Sequence, residues 1–488
     1  MNKSKSIQKK FLSNAFLIIL LNLLVKPFYL FGIDAQVQNI VGSEEYGLYF
    51  SLLNFTFVFN MLLDLGITNF NTKSVASNPD FVSKNIGGIV GSKLMLGFLY
   101  CFVMIIFGFA LRYKIEHFSL LAWLILNQFL AGLLMYLRSN FAGLHFFKFD
   151  SFLSILDRTL LIIICGFLIY GGLVNLKDFK IEWFVYAQSF SYALAVLIAI
   201  LLTIYKIGIP SISINFGFTI AILKRSYPYA LLVLLMMLYT RIDAVMIERI
   251  LKDGPLQSGI YAQAFRLLDA SNILGLITAG ILLPMFARLL EQQGNVESLL
   301  LTSGTWLIGT ALIFGVSCAF HSKELMSIIY QHNASETAQI FPWVILSFIP
   351  ICMAYIFGTL MTADGKMRQL NVLAFVAIIL NIVLNFIFIN RLKAEGAAIA
   401  TFITQWIAGL GQFYLVFRLY KLSFNFKMIF KFILLFCFLI TVGFILPYFS
   451  FSNGMFGFLI MIISGFVLSV IIRVINLKQV ALLLTNKF

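Results

Sequence analysis

Roughly fourteen times along this chain, a window of about 20 residues reads as almost unbroken apolar sequence. The runs lie near residues 11–33, 46–69, 85–111, 118–142, 150–172, 182–205, 226–247, 257–286, 299–320, 339–360, 370–390, 396–417, 429–448 and 455–475, the eighth broken at Pro284. A helix of that length crosses the hydrocarbon core of a bilayer, and lipid admits only elements whose backbone groups are satisfied internally. The expected fold class is therefore an all-α polytopic membrane protein with about 14 transmembrane helices. Composition agrees, with 61% hydrophobic and 11% charged residues against about 25% charged in soluble domains.

The formal net charge of +15 sits in short connections between apolar runs, where basic residues orient helices and make no nucleic-acid-binding stripe. With the N-terminus inside, cytoplasmic connections hold about 21 of the 35 Lys and Arg, and the opposite side about 9. The inside signals include "KSKSIQKK", "LKRS" at 223–226, and Arg418, Lys421, Lys427 and Lys431; Arg391 and Lys393 are exceptions on the outside. Both termini are thus expected in the cytoplasm, with the N-terminal basic stretch flanking a first membrane helix that is too long for a signal peptide. The five cysteines all lie in apolar runs without CxxC spacing and read as buried, inert thiols; the four histidines form no metal motif. No metal or cofactor is expected. Loops do not exceed about 20 residues, which leaves no extramembrane domain for an enzyme's acceptor substrate.

An internal repeat divides the chain. "GIDAQVQNIVGSEEYGLY" (32–49) and "RIDAVMIERILKDGPLQSGIY" (241–261) both carry Ile-Asp-Ala, a polar connection and Gly-x-Tyr. They occupy the same place in spans one and two and in spans seven and eight. This predicts an N-terminal lobe over 1–212 (spans one to six) and a C-terminal lobe over 213–420 (spans seven to twelve), related by a pseudo-twofold axis along the membrane normal. Residues 421–488 add spans thirteen and fourteen and a cytoplasmic C-terminus.

Ionisable residues inside apolar runs are expensive, by at least ~2.5–3.5 kcal/mol each, and mark candidate sites. Arg241 and Asp243 are two apart on a helix and face opposite sides, so each needs another partner. Arg266, Asp269 and Asn272 share one face of span eight, and Arg241–Asp269 and Asp243–Arg266 are the plausible cross-pairs. In span one, Asn22 and Lys26 share a face, and Pro27 predicts a kink beside them. Asp64 in span two is a candidate partner for Lys26. Lys93 and the Asp157–Arg158 pair lie near cytoplasmic ends and read as snorkelling residues. Asn381 and Asn385 read as buried amides joining helices, and "GGIVG" (87–91) and "EGAAIAT" (395–401) as packing faces.

These features together resemble a polysaccharide flippase of the multidrug/oligosaccharidyl-lipid/polysaccharide exporter superfamily. The resemblance is carried by "GSEEYGLYFSLLNFTFVFNMLLDLGI" after span one, "SGIYAQAFRLLDASNIL" after span seven and "LNIVLNFIFINRLKAEGAAIAT" in spans eleven and twelve. It departs from the family where Asn390, Arg391 and Lys393 replace the usual proline and glycine. The resemblance implies two lobes in a V around a cavity walled by spans one, two, seven and eight, open alternately to either side. It implies transport of an undecaprenyl-pyrophosphate-linked oligosaccharide across the bacterial cytoplasmic (inner) membrane for O-antigen, lipopolysaccharide or capsule assembly. Lys26, Arg241, Arg266, Asn22 and Asn272 would then bind substrate, and Asp34, Asp64, Asp243 and Asp269 would pair charges or couple transport to the membrane potential, H⁺ or Na⁺. Membrane lipids and polysaccharide polymerase or assembly proteins are the implied partners.

Three alternatives share some of these features. A lipid II flippase shares the pyrophosphate lipid. A cation-coupled multidrug exporter would use Asp34, Asp64 or Asp243 as free acids. A membrane glycosyltransferase or polymerase would need a loop carboxylate cluster and an acceptor site.

Overall fold

The computed structural model describes residues 21–22, 24–78, 80–144, 146–172, 175–208, 216–422, 426–448 and 454–475. The basic N-terminal flank and the C-terminal stretch from 476 lie outside the described residues. Apolar periodicity becomes helix throughout, and no strand occurs among the described residues. Among the described residues, eleven helices are long and apolar enough to cross a membrane. Two of these hold two spans each. Leu24–Leu63 leaves helical geometry at Gly42 (φ 83°, ψ 167°), and Met367–Leu419 does so at Lys393 (φ 54°, ψ −132°). Dividing both and adding the 17-residue Met455–Ile471 yields the fourteen expected spans.

Spans one and two thus lie in Leu24–Leu63, span three is Asp80–Ala110, four Ile115–Gly143, five Phe147–Tyr170, six Ile181–Ile207, seven Phe216–Ile250 and eight Gly254–Glu291. Span nine is Val296–Phe320, ten Ala334–Ala363, eleven and twelve Met367–Leu419, thirteen Phe426–Ile445 and fourteen Met455–Ile471. The expected break at Pro284 is absent: span eight runs through it without leaving helical geometry. A proline removes one i→i−4 bond, and its ring presses on the carbonyl four residues back. That residue is Gly280, and the helix continues despite the loss of this one bond. At Pro27 the helix also continues, and the irregularity comes three residues later, as a π-helical turn over Leu30–Asp34.

The chain forms two compact units, Met1–Val245 and Met246–Phe488, dividing within span seven. The same pair of hooks recurs between spans two and six and between spans eight and twelve. In the first, Glu45 Oε1 accepts the Ile181 backbone N–H at 2.7 Å over a separation of 136 residues; in the second, Gln257 Oε1 accepts the Ala394 N–H at 3.5 Å over 137. Both acceptors satisfy an N–H that the first turn of a helix leaves orphaned. One turn further, Gln188 Nε2 donates to Tyr49 Oη at 2.9 Å over 139 residues, and the Tyr261 and Thr401 hydroxyls lie 3.3 Å apart over 140. Those tyrosines end the two Gly-x-Tyr motifs. The two copies of the sequence motif therefore make matching hydrogen bonds.

Lys393, an exception to the charge rule, sits at the kink between spans eleven and twelve and bonds Asp253 Oδ2 at 2.7 Å; Gln257 Nε2 donates to the same oxygen at 3.1 Å. The lysine's hydrogen bond holds the Asp253 carboxyl below its ordinary range. Helices in lipid gain little from mutual hydrophobic burial, so small residues that let backbones approach do much of the packing. A Cβ on Gly409 would come within 2.8 Å of the Pro350 carbonyl oxygen. Ala397, Ala398 and Ala400 of the "EGAAIAT" stretch are fully buried, and Gly87 and Gly91 of "GGIVG" are buried as well. Cys165, Cys318 and Cys352 are buried thiols as expected, whereas Cys437 is exposed on span thirteen. An apolar thiol facing lipid carries no desolvation penalty that would force it inside.

Candidate functional site

Asn22, Lys26 and Tyr29 follow at helical intervals on one face of span one, and span five is what that face meets. Asn22 Nδ2 donates to Ser154 Oγ at 3.3 Å. One turn along span five, the Arg158 guanidinium lies 4.8 Å from the Tyr29 ring centroid and 5.8 Å from that of Tyr192 on span six. Arg158 Nη2 donates to Tyr192 Oη at 3.1 Å, and Asp157 Oδ2 stands 3.5 Å from Arg158 Nε. Lys26 lies within electrostatic reach of Arg158, Asp157 and Arg138. Among the described residues its ammonium takes no hydrogen bond or ion pair. Arg138 of span four is committed elsewhere, with its Nε 2.8 Å from Asp150 Oδ1. Asp157 and Arg158, which sequence position alone read as snorkelling, thus belong to a four-helix cluster around Lys26.

Asp64 is not the partner of Lys26. Span two loses α-helical geometry at a 3₁₀ turn over Asn60–Leu63, then turns through Leu65 (φ 44°) and Gly66 (φ 85°) before resuming as Ile67–Ser77. Asp64 caps that break. It accepts the Gly66 and Thr68 backbone N–H groups, each at 3.2 Å, the Thr68 hydroxyl and the Lys93 ammonium. Lys93 Nζ also donates to the Leu63 carbonyl oxygen at 3.1 Å. A broken helix in lipid must have its freed backbone groups satisfied by protein, and a lysine supplies the donors. Lys93 is 2% exposed, so it is a buried structural cation and not a snorkelling one. Gly66, two residues after an acid inside an apolar run, was the legible sign of the break.

The two Ile-Asp-Ala motifs behave alike in burial: Asp34 and Asp243 are each 1% exposed. Asp34 ends the π-helical turn of span one, and accepts the Tyr46 hydroxyl at 2.8 Å and the Tyr29 hydroxyl at 3.4 Å. Tyr29 therefore touches both Arg158, with its ring, and Asp34, with its hydroxyl. Arg241 places its guanidinium 5.5 Å from the Phe57 ring centroid, within cation–π range. Arg241 and Asp243 belong to the first unit and Arg266, Asp269 and Asn272 to the second. In the second unit Arg266 and Asp269 are half-buried, and Asn272 Oδ1 is buried without a hydrogen bond among the described residues. Asn381 and Asn385 are fully buried, and Asn385 Nδ2 donates to Asn381 Oδ1 at 3.0 Å along one helix. No group of His, Cys, Asp and Glu among the described residues is placed to hold a metal ion.

Comparison with known proteins follows from this geometry. Residues 11–290 match the family described as polysaccharide biosynthesis protein. None of the curated proteins matches the chain by sequence. Among solved structures, the lipid II flippase MurJ in an inward closed conformation superposes with a TM-score of 0.64 at 16% identity, covering 97% of this chain and 99% of that one. An inward-facing multidrug resistance MATE family transporter of the MOP superfamily gives 0.60 at 13% identity, covering 83% and 100%. The Vibrio cholerae MATE transporter VcmN, in a point-mutant form, gives 0.59 at 14% identity, covering 86% and 98%. At such identities the likeness establishes a shared all-helical, multi-pass fold.

Proposed function

This chain belongs to the polysaccharide biosynthesis protein family, within the superfamily whose fold it shares, and on that footing we propose that it is a flippase for undecaprenyl-pyrophosphate-linked oligosaccharide. It would move that lipid from the inner to the outer leaflet of a bacterial cytoplasmic membrane by alternating access, with both termini inside, supplying O-antigen, capsule or exopolysaccharide assembly. It acts as a carrier and not as an enzyme. The observation that carries the reading is the family match over more than half of the chain.

The chemistry agrees. A pyrophosphate brings roughly two negative charges, which hydrocarbon excludes, and charge-assisted hydrogen bonds from cations at bilayer depth replace its water. Lys26, Arg241 and Arg266 are the proposed contacts, with Asn22 and Asn272 beside them. Asp34, Asp243 and Asp269 are proposed to balance or couple those charges, and Asp64 serves as the paired acid of the break in span two. Export runs with the field: at ~2.3 kcal/mol per charge per 100 mV, two negative charges leaving a negative cytoplasm gain roughly 4–5 kcal/mol per 100 mV. Transport that fails when voltage is held and only the proton gradient is collapsed would refute the voltage-driven mechanism. Polymerase or assembly proteins would receive the product.

Lipid extracts from cells lacking this protein test the reading by mass spectrometry, with wild-type, Arg241→Ala and Arg266→Ala complements alongside. Accumulated undecaprenyl-pyrophosphate oligosaccharide in the null and both variants, at normal protein levels, is the expected result. No accumulation in the null sinks the polysaccharide substrate. The lipid II reading, favoured by the MurJ likeness over almost the whole chain, then predicts accumulated lipid II, and a drug exporter predicts neither lipid.

A further inference from the structure

Arg158 and Arg138 offer the same guanidinium to a carboxylate and hold it differently. Arg138 Nε meets Asp150 at 2.8 Å, the length of a charge-assisted bond, while Arg158 Nε and Asp157 stand at 3.5 Å. The cause is covalent: residues i and i+1 on a helix do not face each other, so Asp157 reaches its neighbour only loosely. What fixes Arg158 is aromatic. The Tyr29 ring covers its face at 4.8 Å, and Tyr192 Oη accepts from Nη2 at 3.1 Å. With Nη2 on Tyr192 and Nε facing Asp157, the ring on the face leaves the Nη1 end of the guanidinium for an oxyanion, and displacement of Asp157 would add the Nε edge. Lys26, which takes no hydrogen bond or ion pair among the described residues, lies within reach of the same guanidinium.

We propose that Arg158 and Lys26 form an anion-binding centre within the N-terminal unit for the diphosphate group of an isoprenoid-linked substrate, with Asp157 as a resident counterion that the arriving diphosphate displaces. The inference rests on the flippase reading and adds to it a cation on span five and a competing acid. Tyr29 is a positioning residue: its ring holds the guanidinium flat while its hydroxyl bonds Asp34.

The test is calorimetric titration of farnesyl diphosphate into the full-length protein in phosphatidylcholine nanodiscs. Arg158→Gln and Lys26→Gln are each expected to weaken binding about 10-fold or more, the loss of one charge-assisted hydrogen bond. Arg158→Lys restores only part of this, because a point charge lacks the fork. Asp157→Asn separates this role from a structural one: removing the competing acid is expected to tighten binding several-fold, whereas loss of a structural ion pair would weaken it or leave it unchanged. Inorganic pyrophosphate should compete with farnesyl diphosphate. Competition by added phosphatidylglycerol instead would assign the centre to phospholipid headgroups and overturn the proposal. Wild-type binding that Arg158→Gln and Asp157→Asn leave unaltered overturns this centre alone, while absence of wild-type binding overturns the flippase reading and the centre together.

Discussion

The two units share a scaffold but not a charge pattern. Glu45 caps span six and Gln257 caps span twelve in the same way, and Tyr49 and Tyr261 tie to those spans one turn further on. Around these hooks the chemistry differs. The N-terminal unit brings Lys26, Asp157 and Arg158 together from spans one and five and seals the broken span two with Lys93 and Asp64. In the C-terminal unit, the Asp253–Lys393 pair lies in a connection and at a kink, and Arg266, Asp269 and Asn272 line one face of span eight. Backbone-satisfying contacts recur because every copy of the fold has the same orphaned groups to satisfy. Charges are free to diverge, since nothing in the shared scaffold calls for them.

The largest expected effect comes from breaking what only the first unit has. Lys93→Met leaves Asp64 without its cation, and removal of one partner of a buried pair costs about 3–5 kcal/mol. Because the Asp64 side chain is 35% exposed, the low end, about 3 kcal/mol, is expected, read as a fall in thermal midpoint of the purified protein. Replacing Asp64 as well should restore only part of this, since its carboxylate also caps Gly66 and Thr68.

The shared hooks sharpen the comparison. Glu45→Ala removes a short bond to a charged acceptor, worth about 1.5–3 kcal/mol, whereas Gln257→Ala removes a long neutral one worth about 0.5–1 kcal/mol. The same pair of substitutions should therefore destabilise the N-terminal unit more, by unfolding in denaturant; equal losses would mean that charge and length do not set the strength of the hooks, and no loss in either would make them geometric coincidences. Lys393→Gly trades an exposed ion pair for relief of a positive φ. Stability unchanged or raised by about 0–1 kcal/mol is expected, and a loss above that range would show the pair to be more than peripheral.

The smallest effect is a pH dependence. The Asp253 carboxyl is held below its ordinary 3.8, chiefly by the hydrogen bond from Lys393. Its contribution is therefore complete above the unfolded value and lost as pH falls below about 3.8 through the folded one. Asp253→Asn should flatten that acid limb slightly in unfolding curves taken between about pH 5 and 2.

Much of this was legible in one dimension. Apolar runs gave the spans, and the Ile-Asp-Ala and Gly-x-Tyr motifs located the two segments whose hydrogen bonds match. The face shared by Asn22 and Lys26 was readable from their spacing, as was the polar face of Arg266, Asp269 and Asn272. Spacing misled at Pro284, where the helix continues through the proline, and at Lys93 and Arg158, whose nearness to span ends suggested snorkelling.

The sequence by itself determined membrane class, helix content and which side chains share a helical face, because those follow from hydropathy and from the 3.6-residue period. Only the tertiary structure decided partners. It turned Asp64 toward Lys93 and set Lys26 beside Arg158, because the rotation of a helix about its own axis is fixed by the neighbours it packs against, and a broken backbone in span two needed its donors from span three.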